Sequence, residues 1–276
     1  MGGVEPSFSL RGKVAVVTGA LGLLGRQHCR ALLRHGATVV VTDLDHRLCE
    51  AAAADLEAEV GGEAHGFGAD ITNPSAVKVL RDRIVASSGR LDILVNNAAV
   101  NDRFTSAEEA AEVSKFENYP LVLWERALAV NVTGMFLCCQ ILGAFMAERR
   151  TGSIINIAST YGMVAPDQSL YRRDDGSQPF WKSAAYPTTK GAVLSFSRFL
   201  ASYWGDKRVR VNCLSPGGVR EASQDDDFVA RYGKRTMLGR MADPHELQGA
   251  LVFLASEASS YVTGANLVVD GGWTAW

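Results

Sequence analysis

Short apolar runs alternate with longer stretches of helical periodicity along most of the chain. KVAVVT (13–18) is almost wholly apolar and ends in a glycine-bearing turn; a helical pattern runs on to His35-Gly36, and TVVVTD (38–43) is the next apolar run. The alternation repeats with a helix over 46–60, a strand at 64–68, a helix over 74–88 and the strand LDILVNNA (91–98). GSIINIAS (152–159), VRVNCLSPG (209–217) and NLVVDGG (266–272) complete the strands, with helices expected over about 121–149, 185–204 and 244–256. Runs such as VAVV and DILV have no polar face, the pattern of parallel strands covered on both sides. An α/β fold follows, with one doubly wound parallel sheet between two helical layers, a three-layer αβα arrangement. No internal repeat or composition break divides the chain, so residues 1–276 read as a single domain.

Two stretches interrupt this alternation, at 101–120 and 160–183. Both follow strand C-terminal ends, where doubly wound sheets bind their ligands, and long loops in compact domains tend to be functional.

TGALGLLG (18–25) links the first strand to the first helix. Glycines at Gly19, Gly22 and Gly25 allow a tight turn and a close backbone approach to a pyrophosphate, which a helix N-terminus favours. A glycine trio alone also suits an ordinary strand–helix turn. Asp43 adds specificity: it ends the second strand, 24 residues beyond Gly19, where a dinucleotide-binding unit needs an acceptor for ribose hydroxyls. A carboxylate there repels a 2′-phosphate, so NAD is expected over NADP, with Arg26 and Arg47 near enough in sequence to soften that preference. Asp70, in GADIT, suits an adenine contact with Ile71 against the ring; it equally suits a helix-start turn before Pro74.

SAAYPTTKGA (183–192) places Tyr186 one helical turn before Lys190, on one face. A cation beside a phenol stabilises the phenolate, and a phenol tuned towards the working pH can exchange a proton with an alcohol or ketone. Pro187 fits a helix's first turn and would be costly deeper in, which puts Tyr186 at the helix entrance. Ser159 ends the fifth strand and could hydrogen-bond the same substrate oxygen; Asn131 lies in AVNVTG. Taken alone, Tyr-x-x-x-Lys is more readily an ordinary helix face. Its conjunction with Ser159, Asn131, the glycine turn and Asp43 points to an active site.

Composition narrows the class without naming a substrate. A net charge of −2 gives no basic footprint for nucleic acid. No uninterrupted apolar run reaches membrane-spanning length, and the opening MGGVEPSFSLRGK has no signal-peptide core, so a cytoplasmic location without membrane partners is expected. Five cysteines with no CxxC spacing suggest reduced, buried thiols rather than disulfides or zinc, and the histidines show no metal-ligand spacing, so no metal site is expected.

In order along the chain, TGALGLLG, NNAA (96–99), Asn131 in VNVTG, Ser159, YPTTK, SPGGV (215–219) and VTGANLVVDGG (262–272) resemble the short-chain dehydrogenase/reductase family over residues 10–272. The resemblance implies a Rossmann fold and an Asn131–Ser159–Tyr186–Lys190 tetrad. Tyr186 would be the acid/base, Lys190 would bind the nicotinamide ribose and lower the Tyr186 pKa, Ser159 would position the substrate oxygen and Asn131 would hold a relay water. Gly19, Gly22, Leu24, Gly25, Asp43, Asp70, Ile71, Asn97, Ala98, Pro216 and Val219 would contact the cofactor, Tyr186 and Lys190 with them. Homotetramers are usual in the family, and a homotetramer or homodimer is expected. Leu23 stands where the single-domain pattern TGxxxGxG has its second glycine, and Glu221 where the family has a threonine. A substrate loop is implied at about 219–240, with the run Gln224-Asp225-Asp226-Asp227 read as a solvated lid.

The 160–183 insertion, FENYPLVLWERAL (116–128) and the ending VVDGGWTAW further resemble the oxidoreductases of flagellin-modification and surface-polysaccharide clusters, linked with nonulosonic sugars. That implies an amino-sugar, sugar-phosphate or nucleotide-sugar substrate, a polar, sugar-derived alcohol or ketone as hydride partner for NAD(H). Reduction of acyl or small aliphatic or cyclic ketones is the alternative, and a non-catalytic dinucleotide-binding protein the third reading. Arg172, Arg173 and Lys182 could receive a phosphate, or form a solvated loop with Asp174 and Asp175. Trp273 and Trp276 read as an oligomer contact.

Overall fold

The computed structural model describes residues 7–102, 106–173 and 175–276. Every residue of VAVVT is buried, and it forms β1 (Val14–Thr18). Then come α1 (Leu23–Arg34), β2 (Thr38–Asp43), α2 (His46–Val60), β3 (Ala64–Gly68), α3 (Pro74–Ser88) and β4 (Ile93–Asn96). After α4 (Ala107–Val113), the segments α5 (Leu121–Leu128), α6 (Met135–Cys138) and α7 (Ala144–Glu148) are joined by π-helical turns at Ala129–Gly134 and Cys139–Gly143 into one helix, Leu121–Glu148. The chain closes with β5 (Gly152–Ile157), α8 (Ala185–Trp204), β6 (Val209–Pro216), α9 (Asp226–Gly233), α10 (Gln248–Ala255) and β7 (Asn266–Val269).

The strands form one parallel sheet in the order β3-β2-β1-β4-β5-β6-β7. The chain winds outward from β1 to β3 and then returns to place β4 on the other side of β1. Helices leaving β1 and β4 therefore go to opposite faces, and a crevice opens at the carboxyl ends of these two strands. Successive side chains of β1 serve different layers, as the period of a strand requires. Val14 and Val16 join Leu80, Leu142 and Val193 under α3, the long helix and α8, whereas Ala15 and Val17 join Leu32 and Leu251 under α1 and α10.

Leu121–Glu148 is long and apolar enough to cross a bilayer by length and composition, although no uninterrupted apolar run in the sequence suggests it. Here it packs on the sheet through Met135, Cys138, Leu142 and Met146, all buried. Two short helices, α4 inside the 101–120 stretch and α9 inside the 219–240 loop, escape the periodicity reading. They start on local caps: Ser106 accepts the Glu109 N–H for α4, and Asp225 accepts the Asp227 N–H for α9. The helix expected over 244–256 opens as a 3₁₀ turn, Pro244–Leu247, before α10. All five cysteines are buried free thiols.

Candidate active site

The glycine turn is shaped by three different demands. Gly19 has φ +61, and a Cβ there would lie 2.6 Å from the Ala98 Cα. A Cβ on Gly25 would lie 2.2 Å from the Gly19 carbonyl oxygen, so α1 can start this close to the loop only without a side chain. Gly22 is different. Its φ of −72 is ordinary and a Cβ would meet only the Gly19 oxygen at 3.4 Å. Packing within the chain does not demand glycine at 22; the cleft it lines gives the reason for one.

Neighbouring strand ends hold this loop in place. The Asn97 amide donates to the Thr18 and Gly19 carbonyls at 3.0 and 2.9 Å, and the Asn97 and Ala98 N–H groups both donate to the Thr18 hydroxyl at 3.1 Å. Asp43 accepts the Leu21 N–H at 3.1 Å and the Leu44 N–H at 2.8 Å, fixing its carboxylate at the cleft edge. Together these residues enclose a cavity of about 450 Å³, lined also by Leu24, Asp70 and Ile71. The buried Thr42 hydroxyl, on a residue that lines it too, has no partner among the described residues. Asp70 is exposed and caps Thr72, so the helix-start reading and a place in the cleft both hold for it. An elongated cleft with an anion-compatible helix start, a close-approach glycine and a carboxylate at the far strand fits a dinucleotide.

A second cavity of about 260 Å³ opens beside the first, and Ser159, Tyr186 and Val219 line it. Tyr186 is the second residue of α8, with Pro187 in the first turn as its missing N–H requires. Lys190, one turn on, is buried; its Nζ donates to the Ile157 carbonyl at 2.7 Å and lies 5.6 Å from the Tyr186 ring centroid. Gly162 makes this geometry possible, because a Cβ there would stand 2.7 Å from the Lys190 carbonyl group. Without one, the turn after Ser159 lies directly on α8. Asn131 sits in the π-helical turn Ala129–Gly134, and its amide is fully engaged. It accepts the Val100 N–H at 2.7 Å and donates to the Val100 carbonyl at 3.0 Å and the Thr189 hydroxyl at 3.1 Å. Asn131 thus clips the strap between the two cavities to α8. Pro216 is buried at the end of β6 and lines neither cavity.

Electrostatics corrects one expectation. Spacing alone suggests that Lys190 lowers the Tyr186 pKa. Instead, burial pushes the Tyr186 phenol up, opposed by a hydrogen bond from the facing Ser159. Burial also pushes the Lys190 ammonium down, to about 8. Burial is the largest influence on each group, and the ammonium is directed to the Ile157 carbonyl.

The insertions meet over this pocket. Lys182 lines it, with its Nζ 4.5 Å from the Tyr186 ring centroid, whereas Arg172 and Arg173 are exposed and line it nowhere. Arg173 acts on Asp175, and Asp174 lies outside the described residues. In the acidic run, Gln224 lines the pocket and bonds Glu221 and Val219, while Asp225 caps α9. Trp273 is not a free surface aromatic: it is buried, stacks on Tyr232 at 4.3 Å and packs edge-on to Tyr161, building the pocket's back wall. Trp276 is exposed. Spacing did not flag Thr18, Gly162, Gln168 or Thr189, since each acts by supporting another residue.

Comparison with known proteins agrees with this geometry. The family model described as enoyl-(acyl carrier protein) reductase matches residues 19–274. The D-threitol dehydrogenase of Mycolicibacterium smegmatis is 36% identical over 98% of this chain and 96% of its own. A cyclopentanol dehydrogenase of Comamonas is 35% identical over 95% and 97%. The structure of a gluconate 5-dehydrogenase from Burkholderia cenocepacia in complex with NADP and tartrate superposes with a TM-score of 0.84, at 30% identity over 98% of both chains. With its switch-point cleft, its serine–tyrosine–lysine cluster and these relatives, the chain belongs to the short-chain dehydrogenase/reductase family of nicotinamide-dinucleotide oxidoreductases acting on CH–OH groups.

Proposed function

We propose that the protein is an NAD(H)-dependent dehydrogenase of a small polyhydroxylated, sugar-derived secondary alcohol, or the reductase of the matching ketone. The observation that carries this reading is the shared pocket. Ser159, Tyr186 and Lys182 present hydroxyl, phenol and ammonium groups to one space of about 260 Å³ beside the dinucleotide cleft. A space this size suits a short polyol better than a nucleotide sugar, and the threitol-oxidising relative supports the same class.

In this reading Ser159 donates to the substrate oxygen and holds it against Tyr186. As the phenolate, its own proton having passed to solvent, Tyr186 takes the hydroxyl proton during oxidation; as the phenol it donates that proton during reduction. A bound nicotinamide supplies the hydride acceptor or donor. Lys190 holds the ribose side of the site and favours the Tyr186 phenolate once the proton leaves. Asn131 keeps the strap of Val100 in place between the two cavities. Asp43 at the cleft edge favours NAD, since a 2′-phosphate would stand against a carboxylate; the gluconate 5-dehydrogenase neighbour was captured with NADP.

The second reading is a small cyclic or aliphatic alcohol. It rests on the aromatic wall of Tyr161, Tyr232 and Phe228 and on the cyclopentanol-oxidising relative. We further infer a homotetramer or homodimer, with exposed Phe136, Phe199 and Tyr203 on the long helix and α8 as contact residues, and a cytoplasmic location in keeping with five free thiols.

Tyr186→Phe tests the chemistry. Turnover with NAD⁺ and threitol or a related polyol should fall by about 10²–10⁴, the usual weight of general acid–base catalysis, while NADH affinity stays within about twofold. Full turnover in that variant would remove Tyr186 from the proton transfer.

A further inference from the structure

Lys182 is the one charged side chain among the described residues lining the substrate pocket, and it is held there by design of the insertion. Gln168 clamps its backbone with both ends of one amide: the oxygen accepts the Lys182 N–H at 2.9 Å, and the nitrogen donates to the Lys182 carbonyl at 2.9 Å. The next residue back, Trp181, is tied by its N–H to the Ser114 hydroxyl at 2.9 Å, anchoring the same strand of chain to the other insertion. A solvated surface lysine needs no such clamp.

The ammonium has donors to spare. It donates to the Asn101 side-chain oxygen at 2.9 Å, yet no carboxylate among the described residues stands within ion-pair distance of it. Asp102 is the acid that acts on it most, and both Asp102 oxygens accept from the Tyr119 hydroxyl, at 2.9 and 3.0 Å. A lysine has three donors, so two remain for the pocket. Desolvation pushes its pKa down to about 8, and the pull of Asp102 opposes that only in part. It nevertheless stands 4.5 Å from the Tyr186 ring centroid, beside the place where the reacting oxygen must sit.

We propose that Lys182 is the specificity residue of this enzyme and that the substrate is a hydroxy acid or polyol phosphate whose anionic group, a few bonds from the reacting carbinol, docks on the Lys182 ammonium. The inference rests on the reading that this pocket receives the alcohol. A neutral polyol would leave the cation only the distant pull of Asp102; a carboxylate or phosphate adds a direct counter-charge and orients the chain so that one particular hydroxyl reaches Ser159 and Tyr186. Arg172 and Arg173 take no part.

The test pairs substrates that differ only in the anion: threitol, threonate and threitol 4-phosphate, titrated calorimetrically into the protein saturated with NADH, and assayed for turnover with NAD⁺. In the wild type, threonate or threitol 4-phosphate should bind at least about tenfold more tightly than threitol, the scale of one hydrogen bond to a charged group. Lys182→Met should remove that advantage, so that the three ligands bind within about twofold of one another, and Lys182→Arg should retain most of it. Which anion carries the advantage identifies the substrate as acid or phosphate. Equal binding of all three by the wild type, binding of none, or an equal loss for all three in Lys182→Met would overturn the assignment. Turnover reports separately on the dehydrogenase reading: Lys182-dependent anion binding with no NADH formed would leave this inference standing and that reading refuted.

Discussion

Lys190→Met should make the folded protein no less stable at pH 7, and more stable by up to about 2 kcal/mol, while stripping it of activity. Lys190 is 4% exposed, and burial lowers its pKa from 10.5 to about 8. At 1.36 kcal/mol for each unit, holding the ammonium in this site costs about 3 kcal/mol relative to the unfolded chain. Methionine is close in shape and carries no charge. Against this gain, the Ile157 carbonyl loses its partner, which costs about 1–3 kcal/mol when buried. The pH dependence is the sharper signal. Because the folded pKa is depressed, the unfolded chain binds more protons between pH 8 and 10.5, so wild-type stability rises with pH across that window. By pH 9.5 about 2 kcal/mol of the penalty is gone, and the gap between variant and wild type should shift by that amount in the wild type's favour. Lys182 has a shift in the same direction but is present in both proteins and cancels in the difference. Tyr186, pushed above its ordinary value, stays neutral over this range. Urea unfolding of both proteins at pH 7 and 9.5, without dinucleotide, makes the comparison. A difference that does not move with pH would refute the claim that Lys190 is held charged at an electrostatic cost in the fold.

Three further outcomes follow from the same geometry. Gly22→Ala should leave the unfolding free energy within about 0.5 kcal/mol, since its Cβ meets only the Gly19 oxygen at 3.4 Å, yet weaken NADH binding by about tenfold in a fluorescence titration; unchanged affinity would mean that the cofactor does not approach this backbone. Asp43→Ala should shift the NADPH-to-NADH affinity ratio towards NADPH by about tenfold through loss of carboxylate repulsion, and a ratio that stays put would sink the preference assigned to Asp43. His28 is fully buried, its ring nitrogens have no partner among the described residues and its pKa is pushed down to about 4. With a folded pKa below the unfolded 6.5, its stabilising contribution is present above pH 6.5 and about 3 kcal/mol is lost as pH falls to 4, so His28→Leu should flatten the acid limb of the unfolding profile, measured by circular dichroism.

What could be read from the chain beforehand divides along physical lines. Parallel strands covered on both faces leave continuous apolar runs, and β1, β2, β4 and β5 were visible for that reason, as were the helices long enough to show their period. α4 and α9 were not, being too short for a period; their caps, Ser106 and Asp225, were the only local trace. The serine–tyrosine–lysine cluster was legible because Tyr186 and Lys190 share one helix face by spacing and Ser159 ends a strand beside it. The direction of the Tyr186 shift was not legible, since desolvation depends on everything packed around the phenol, and burial pushes it up. Asn131 shows the same limit. Its identity marked a site, but its work of clipping Val100 to Thr189 depends on a π-helical turn within a long, otherwise regular helix. Lys182 is the extreme case: in the sequence it is one of three cations in an insertion, equal to Arg172 and Arg173. Only the grip of Gln168, fourteen residues upstream, turns it and not them over Tyr186. Chemistry carried by residue type and short spacing is written locally, whereas which loop side chain is held over Tyr186, and with it the substrate choice proposed for this pocket, is settled by contacts with no periodicity to announce them.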